Sequence, residues 1–332
     1  MMYPEGWFAL RLTGVLGDRV RFAILLVALL ACGKKKETPA EGSAKPVVSD
    51  AAVPGDAKLD PKEAAAQYDK ACVGGDAEAC RNLGVLYSEG IGVTADPKRA
   101  TALFAQACNS GNFAGCNHTA LALAEGIGVE KDVAKATELF TKACDGGYAL
   151  ACRNLGLMLR DGRGVDKDLA RAETLLEKAC TGKAPFACTN AGDVHRAFAS
   201  AKDAKPAERD ARFKKMIDLY KLGCDAGEPT ACRAIGIAYL EGTGLPKTPN
   251  AASVWLARAC EKAEPIACRV LGAMLIDGVG VKKDPAKGRE LVKRACDRKD
   301  ADACAIIAKL EGGSGSTEGA PGDAGVQPKA PM

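Results

Sequence analysis

Residues 144–152 read CDGGYALAC: two cysteines bracket seven residues, with a glycine pair just inside the first. The same frame stands at 72–80 (CVGGDAEAC) and at 108–116 (CNSGNFAGC). Outward from it, fourteen of the fifteen cysteines fall into pairs of this spacing: 72/80, 108/116, 144/152, 180/188, 224/232, 260/268 and 296/304. Their first members step by 36, 36, 36, 44, 36 and 36 residues. A fixed period of this length is the mark of a solenoid made of repeated supersecondary units.

Each period holds two helical patterns. One follows the second cysteine, as at 151–160 (ACRNLGLMLR); the other precedes the next first cysteine, as at 168–180 (DLARAETLLEKAC). Apolar residues recur three and four apart in both, which is the spacing of a helix with one buried face. Between them lies a turn with two glycines: EGIGV at 89–93 and 125–129, DGRGV at 161–165, EGTGL at 241–245 and DGVGV at 277–281. The first glycine can end a helix in a left-handed conformation, and the second relieves the turn. A phosphate loop needs a preceding strand and a longer glycine pattern, so the turn reads as structural.

A second set of small residues lies four past the second cysteine: Gly84, Ala120, Gly156, Gly192, Gly236, Gly272 and Ala308. A glycine inside a helix costs about 1 kcal/mol relative to alanine. Its recurrence predicts a contact between two helices that leaves no room for a side chain. Tyr87 and Tyr239, three residues further on, can fill the groove beside it.

The composition fits. Hydrophobic residues make up 47% of the 332, charged residues 27% and aromatics only 5%, so the core rests on small side chains that suit close helix packing. The formal net charge is +4 with both signs interspersed, which gives no basic patch for nucleic acid. Paired cysteines in this number indicate an oxidising compartment. Zinc sites prefer short C-x2-4-C knuckles with four ligands close by, and the chain has only two histidines, so the reading favours disulfides over metal.

The N-terminus gives an address. Arg11, Arg19 and Arg21 precede a ten-residue apolar run, 22–31 (FAILLVALLA). Ten helical residues span about 15 Å, half of a bilayer core, which suits a signal peptide and not a membrane span. The run ends Leu29-Leu30-Ala31-Cys32, which resembles a bacterial lipobox, and Cys32 is the odd cysteine left by the seven pairs. That resemblance implies a lipid on Cys32 and, with Gly33 at the following position, an outer-membrane lipoprotein facing the periplasm or the surface. Residues 1–31 are then a lipoprotein signal peptide. Residues 32–60, rich in Pro, Gly, Ser and charge, read as a flexible tether, and 311–332 as a disordered tail.

The period, the A-C-x-N-L-G-x-L pattern, the two-glycine turn and the following A-x-x-L-F-x-K-A-C together resemble the Sel1-like repeat, a tetratricopeptide-like family. The resemblance covers residues 61–310, six to seven units. It implies an all-α fold, a right-handed α/α solenoid. The paired cysteines resemble the disulfide-rich secreted branch of that family, the Helicobacter cysteine-rich proteins. This implies one disulfide per unit: Cys72–Cys80, Cys108–Cys116, Cys144–Cys152, Cys180–Cys188, Cys224–Cys232, Cys260–Cys268 and Cys296–Cys304. CDGGYALAC is then the bend between one helix hairpin and the next, closed by a bond across it.

The unit from Cys188 to Cys224 is eight residues longer, and 198–210 (FASAKDAKPAERD) replaces its glycine turn. Eight residues make about two helical turns. Either the helices lengthen or a loop protrudes near 199–206. His195 lies in this unit and reads as a semi-buried packing residue or as a ligand-facing one. His118 stands alone and reads as a surface or packing residue.

No catalytic constellation stands out. No serine starts an S-x-x-K, Lys247-Thr248-Pro249 is not K-T-G, and there is no H-E-x-x-H. No catalytic residue, metal set or cofactor is assigned. The expected function is a scaffold that binds an envelope protein or peptide and meets the membrane through its lipid only. The alternative, a beta-lactamase or penicillin-binding type of hydrolase, rests on the family resemblance alone.

Overall fold

The computed structural model describes residues 60–312. The signal peptide, Cys32, most of the tether and most of the tail lie outside the described residues. Those described divide into two compact units, 60–247 and 248–312.

The first unit holds ten helices. They are α1 (Pro61–Val73), α2 (Ala77–Glu89), α3 (Pro97–Asn109), α4 (Phe113–Glu125), α5 (Val133–Asp145), α6 (Ala149–Asp161), α7 (Leu169–Thr181), α8 (Ala187–Ala199), α9 (Pro206–Asp225) and α10 (Pro229–Glu241). The second holds α11 (Pro249–Glu261), α12 (Pro265–Asp277), α13 (Pro285–Asp297) and α14 (Ala301–Gly312). There is no strand among the described residues, and none of these helices is long and apolar enough to cross a membrane. The fold is an all-α solenoid of helix hairpins.

The hairpin turn is built from the sequence pattern. Gly90, Gly126 and Gly162 end α2, α4 and α6 in the left-handed conformation and close each helix through a backbone hydrogen bond. An aspartate then opens the next helix. Asp96, Asp132, Asp168 and Asp284 accept from the backbone N–H three residues on, at 2.9–3.0 Å. Their own N–H groups reach back to the carbonyls of Tyr87, Leu123, Leu159 and Leu275 at 2.8–2.9 Å, which folds the turn onto the helix before it.

Seven disulfides join the end of one helix to the start of the next: α1 to α2, α3 to α4, α5 to α6, α7 to α8, α9 to α10, α11 to α12 and α13 to α14. The paired Cα atoms lie 4.4–4.8 Å apart. The bond therefore crosses from hairpin to hairpin, while the glycine turn lies within a hairpin.

The small residues of the sequence lie where the two helices of a hairpin meet. A Cβ on Gly84 would stand 2.7 Å from the Phe104 ring, one on Gly156 2.8 Å from Leu176, and one on Gly192 2.4 Å from the Tyr220 ring. In the second unit a Cβ on Gly272 would stand 2.7 Å from Val292 and from the Gly288 carbonyl. Gly236 is buried on α10. The opposing residue, four before the first cysteine, is a large buried one in each case: Phe104, Leu176, Tyr220 and Val292. Each glycine is the hole that receives this knob.

The eight extra residues lengthen helices. α9 has 20 residues where its counterparts have 13, and the connection 200–205 is shorter than the usual turn. Most of the insertion is two added turns at the N-terminus of α9, with no long loop.

Candidate functional site

The lengthened α9 brings a charged cluster together. Glu173 and Glu177, one helical turn apart on α7, face His195 on α8. His195 Nε2 lies 2.7 Å from Glu177 Oε1 and 3.5 Å from Glu173 Oε1. Arg212, on the added part of α9, pairs with Glu173, lies 3.3 Å from His195 Nδ1 and stacks over the Phe198 ring at 4.5 Å. Lys215 stands 3.6 Å from Glu177. The His195 side chain is only 4% exposed, so it packs inward beneath α9.

Two glutamates and a histidine with ligand atoms within 4.8 Å of one another form a set that can hold a divalent cation. The second partners of these atoms oppose it. Arg212 can only donate, so Nδ1 accepts and the proton sits on Nε2, the atom a metal would need bare. Arg212 and Lys215 also already balance the two carboxylates, and a dication would leave the half-buried cluster with excess positive charge. The geometry is that of a closed ion-pair network clamping α9 to α7 and α8.

A second group runs along the first helices of the hairpins. The two residues after each second cysteine fall at one register: Arg81-Asn82, Asn117-His118, Arg153-Asn154, Thr189-Asn190 and, in α10, Arg233-Ala234. All are buried or half-buried, yet all but Ala234 are polar. Neighbouring hairpins bond through them: Asn154 donates to Asn117 at 2.9 Å, and Thr189 gives its hydroxyl and its N–H to the Glu228 carboxylate. In the second unit Arg269, at the same register, pairs with Asp300 at 3.0 Å. The sequence pattern A-C-x-N-L-G contains this row, but it reads there as a repeat signature only. Its role shows once the helices are stacked.

His118 belongs to the same row. It stacks on Phe104 with ring centroids 4.6 Å apart. Burial, aided by the nearby Arg81 guanidinium, lowers its pKa from 6.5 to about 4. The folded chain thus resists a proton that the unfolded chain accepts. Stability is untouched above pH 6.5, falls as pH drops through the window from 6.5 to about 4, and is fully reduced below it. His118→Leu is expected to remove this acid limb, worth about 2–3 kcal/mol between pH 7 and 4.5. Urea midpoints of both proteins at the two pH values would check it; an unchanged gap would refute the assignment.

The stacked hairpins and their polar row define a helical-repeat scaffold. Its family follows from comparison with known proteins. The Sel1 repeat model matches residues 77–112, 114–148, 149–182, 229–263 and 265–300, together more than half of the chain, which belongs to the Sel1 repeat family. The unmatched stretch between 182 and 229 contains the lengthened unit. No curated protein matches the chain. Among solved structures, the fold is similar to c5321, a protective antigen present in uropathogenic Escherichia coli strains and displaying an SLR fold. That likeness has 23% identity and a TM-score of 0.64, over 76% of this chain and 53% of that one. The chain thus spans about half the length of that protein. It is also similar to a Sel1 repeat protein from Oxalobacter formigenes, at 20% identity and TM-score 0.59, over 71% of this chain and 97% of the other. Helicobacter pylori cysteine rich protein B is similar at 24% identity and TM-score 0.31, over 42% and 95%.

Proposed function

We propose that the chain is an exported, lipid-anchored scaffold that captures a protein or peptide partner in the cell envelope through the polar row of its first helices. The observation that carries this reading is that row: half-buried arginines and asparagines recur where core packing would favour apolar side chains. Part of the row is spent in bonding one hairpin to the next, and the half-buried groups left beside those bonds, such as the Arg153 and Asn190 side chains, are where a stacked array can meet an extended peptide.

The cysteines support the address. Seven disulfides need an oxidising compartment to form and persist. Cys32 follows an apolar run with lipobox character, which supports residues 1–31 as signal peptide, lipidation of Cys32, and 32–60 and 311–332 as tether and tail. Gly33 favours the outer membrane.

One experiment addresses both parts. Crosslinking in intact cells followed by fractionation is expected to recover the protein in the outer-membrane fraction with a specific envelope protein attached. Cys32→Ala is expected to move most of it to the soluble fraction. Unchanged fractionation of Cys32→Ala would refute the anchor, and the lack of any saturable partner would refute the scaffold.

A further inference from the structure

The series of holes and knobs is incomplete at both ends of the described chain. The glycine turns make α2 and α3, α4 and α5, and α12 and α13 the two halves of hairpins. α1 stands in the register of the second helices, with Tyr68 at the knob position four before Cys72. No first helix with a hole precedes it among the described residues. α14 stands in the register of the first helices, with Ala308 at the hole position four past Cys304, and no second helix follows it among the described residues. Residues 33–60 and 313–332 carry no helical spacing of apolar residues, so neither stretch reads as the missing half.

Both ends keep the surface of an interior repeat. The ends of a solenoid are ordinarily closed by units with a polar outer face. α14 has Ile307 and Leu310, the counterparts of Leu155 and Met158 on α6. Leu155 and Met158 are buried, but Ile307 and Leu310 are only half-buried and Ala308 is exposed. The holes within hairpins, Gly84, Ala120 and Gly156, are all buried. On α1, Tyr68 packs against the cluster of Leu83 and Leu86 yet stays half-buried, where its counterpart on α3, Phe104, is 6% exposed.

The two ends also match in chemistry. In four hairpins the residue after the hole is apolar, as is the knob: Val85 with Phe104, Leu121 with Phe140, Leu157 with Leu176 and Ala273 with Val292. In the α8–α9 pair the knob is a tyrosine, and there the residue after the hole is polar. Tyr220 donates its hydroxyl to Asp193 at 2.7 Å. The residue after Ala308 is Lys309, and the knob that lacks a hole is Tyr68. A tyrosine seated over Ala308 brings its hydroxyl oxygen to a place where the Lys309 ammonium can donate to it. The sizes agree as well. Ala120 and Phe140, both buried in the α4–α5 hairpin, show that a hole made by alanine takes an aromatic ring. The residue four before the knob, which lies against the hole as Gly288 does against Gly272, is the small Ala64.

We propose that a second copy of this chain supplies both missing halves: α14 of one copy docks antiparallel along α1 of the next, with Tyr68 seated over Ala308. The contact is heterologous, joining the end of one copy to the beginning of another. It goes beyond the capture of a partner and does not depend on it. One helix pair is a small interface, so the dissociation constant is expected on the order of 100 μM.

The test is sedimentation velocity of the oxidised full chain over a range of concentrations. Every sample carries Cys32→Ala, so that neither a lipid nor a free thiol joins copies. This parent is expected to associate as its concentration rises. Ala308→Arg fills the hole on an exposed face, and Tyr68→Glu removes the knob. Each is expected to weaken self-association about tenfold or more. An equimolar mixture of the two is expected to associate again and to stop at one-to-one dimers, because the first keeps an intact α1 and the second an intact α14. Should Tyr68→Glu not fold, Ala308→Arg decides alone. A parent that stays monomeric up to about 1 mM overturns the proposal and leaves α14 to another occupant, such as 313–332 of its own chain. Ala308→Arg that associates like the parent overturns it too, as does a mixture that stays monomeric up to the same concentration.

Discussion

Reduction of the seven disulfides is expected to abolish the cooperative unfolding transition at 37 °C, with loss of most of the helical circular dichroism. Each bridge closes a loop of about nine residues and removes roughly 2.6 kcal/mol of unfolded-state entropy in the chain-entropy model. Actual gains are smaller and do not add, yet a typical domain is stable by only about 5–15 kcal/mol, so seven losses exceed what neighbour packing can absorb. The packing is also modest at the bends. The residues around each bond are mostly alanines, such as Ala107, Ala143, Ala179 and Ala259, all fully buried but each contributing little area. The sulfurs are buried as well, with Cys116, Cys224 and Cys268 at 0% exposure. Reductant therefore has to wait for local opening, and the loss should be slow in buffer and fast in dilute urea. Fully reduced protein, verified by thiol count, is compared with the oxidised form by thermal melts. If its midpoint stays within about 5 °C, the bonds are not what holds the bends.

A single bridge should matter less and locally. Removing Cys144 and Cys152 together leaves the hairpins on either side to hold each other through Phe140, Leu155 and their neighbours. That distinction follows from the topology. Each bond joins residues eight apart, so none ties distant hairpins together.

The repeat was legible in the sequence because several physical demands recur at fixed offsets. A left-handed helix end needs glycine at 90, 126 and 162, and a close helix contact needs a small residue at 84, 156 and 192; the aspartate caps at 96, 132 and 168 recur as well, but only the structure shows them. Five or more copies within one sequence average out the accidents. The cluster at His195 was not legible, because its partners come from three helices and from the one unit where the period breaks. Glu173 and Glu177 look like solvated helix-face charges until α8 covers them, and Arg212 lies in the inserted turns with no counterpart elsewhere.

The second glycine of the turn shows how far a sequence reading can be right about position and incomplete about cause. It reads as relief of the turn. The structure adds that the turn of one hairpin rests on the opening of the second helix of the hairpin before it. A Cβ on Gly128 would stand 2.2 Å from the Pro97 carbonyl oxygen at the start of α3. One on Gly92 would meet Pro61 at 2.3 Å in the same way, and in the second unit one on Gly280 would meet Pro249 at 2.4 Å. Gly128 also has a φ of 68°. Gly147, in the disulfide bend, has a φ of 90° but nothing within 4 Å of where a methyl group would stand, so it isolates the conformational part. Gly147→Ala is expected to cost about 1–2 kcal/mol, the strain of a left-handed non-glycine residue. Gly128→Ala carries that strain and a collision with backbone, which is unable to swing aside as a flexible side group would, so about 4 kcal/mol or more is expected. Urea denaturation of the two variants beside the wild type measures the difference. Equal effects would mean that the turn needs glycine for its shape alone and that stacking of one hairpin on the next does not depend on contact there. A clear excess for Gly128→Ala would place the contact between successive hairpins at the glycine turn as well as at the disulfide, giving each module two attachments to the one before it.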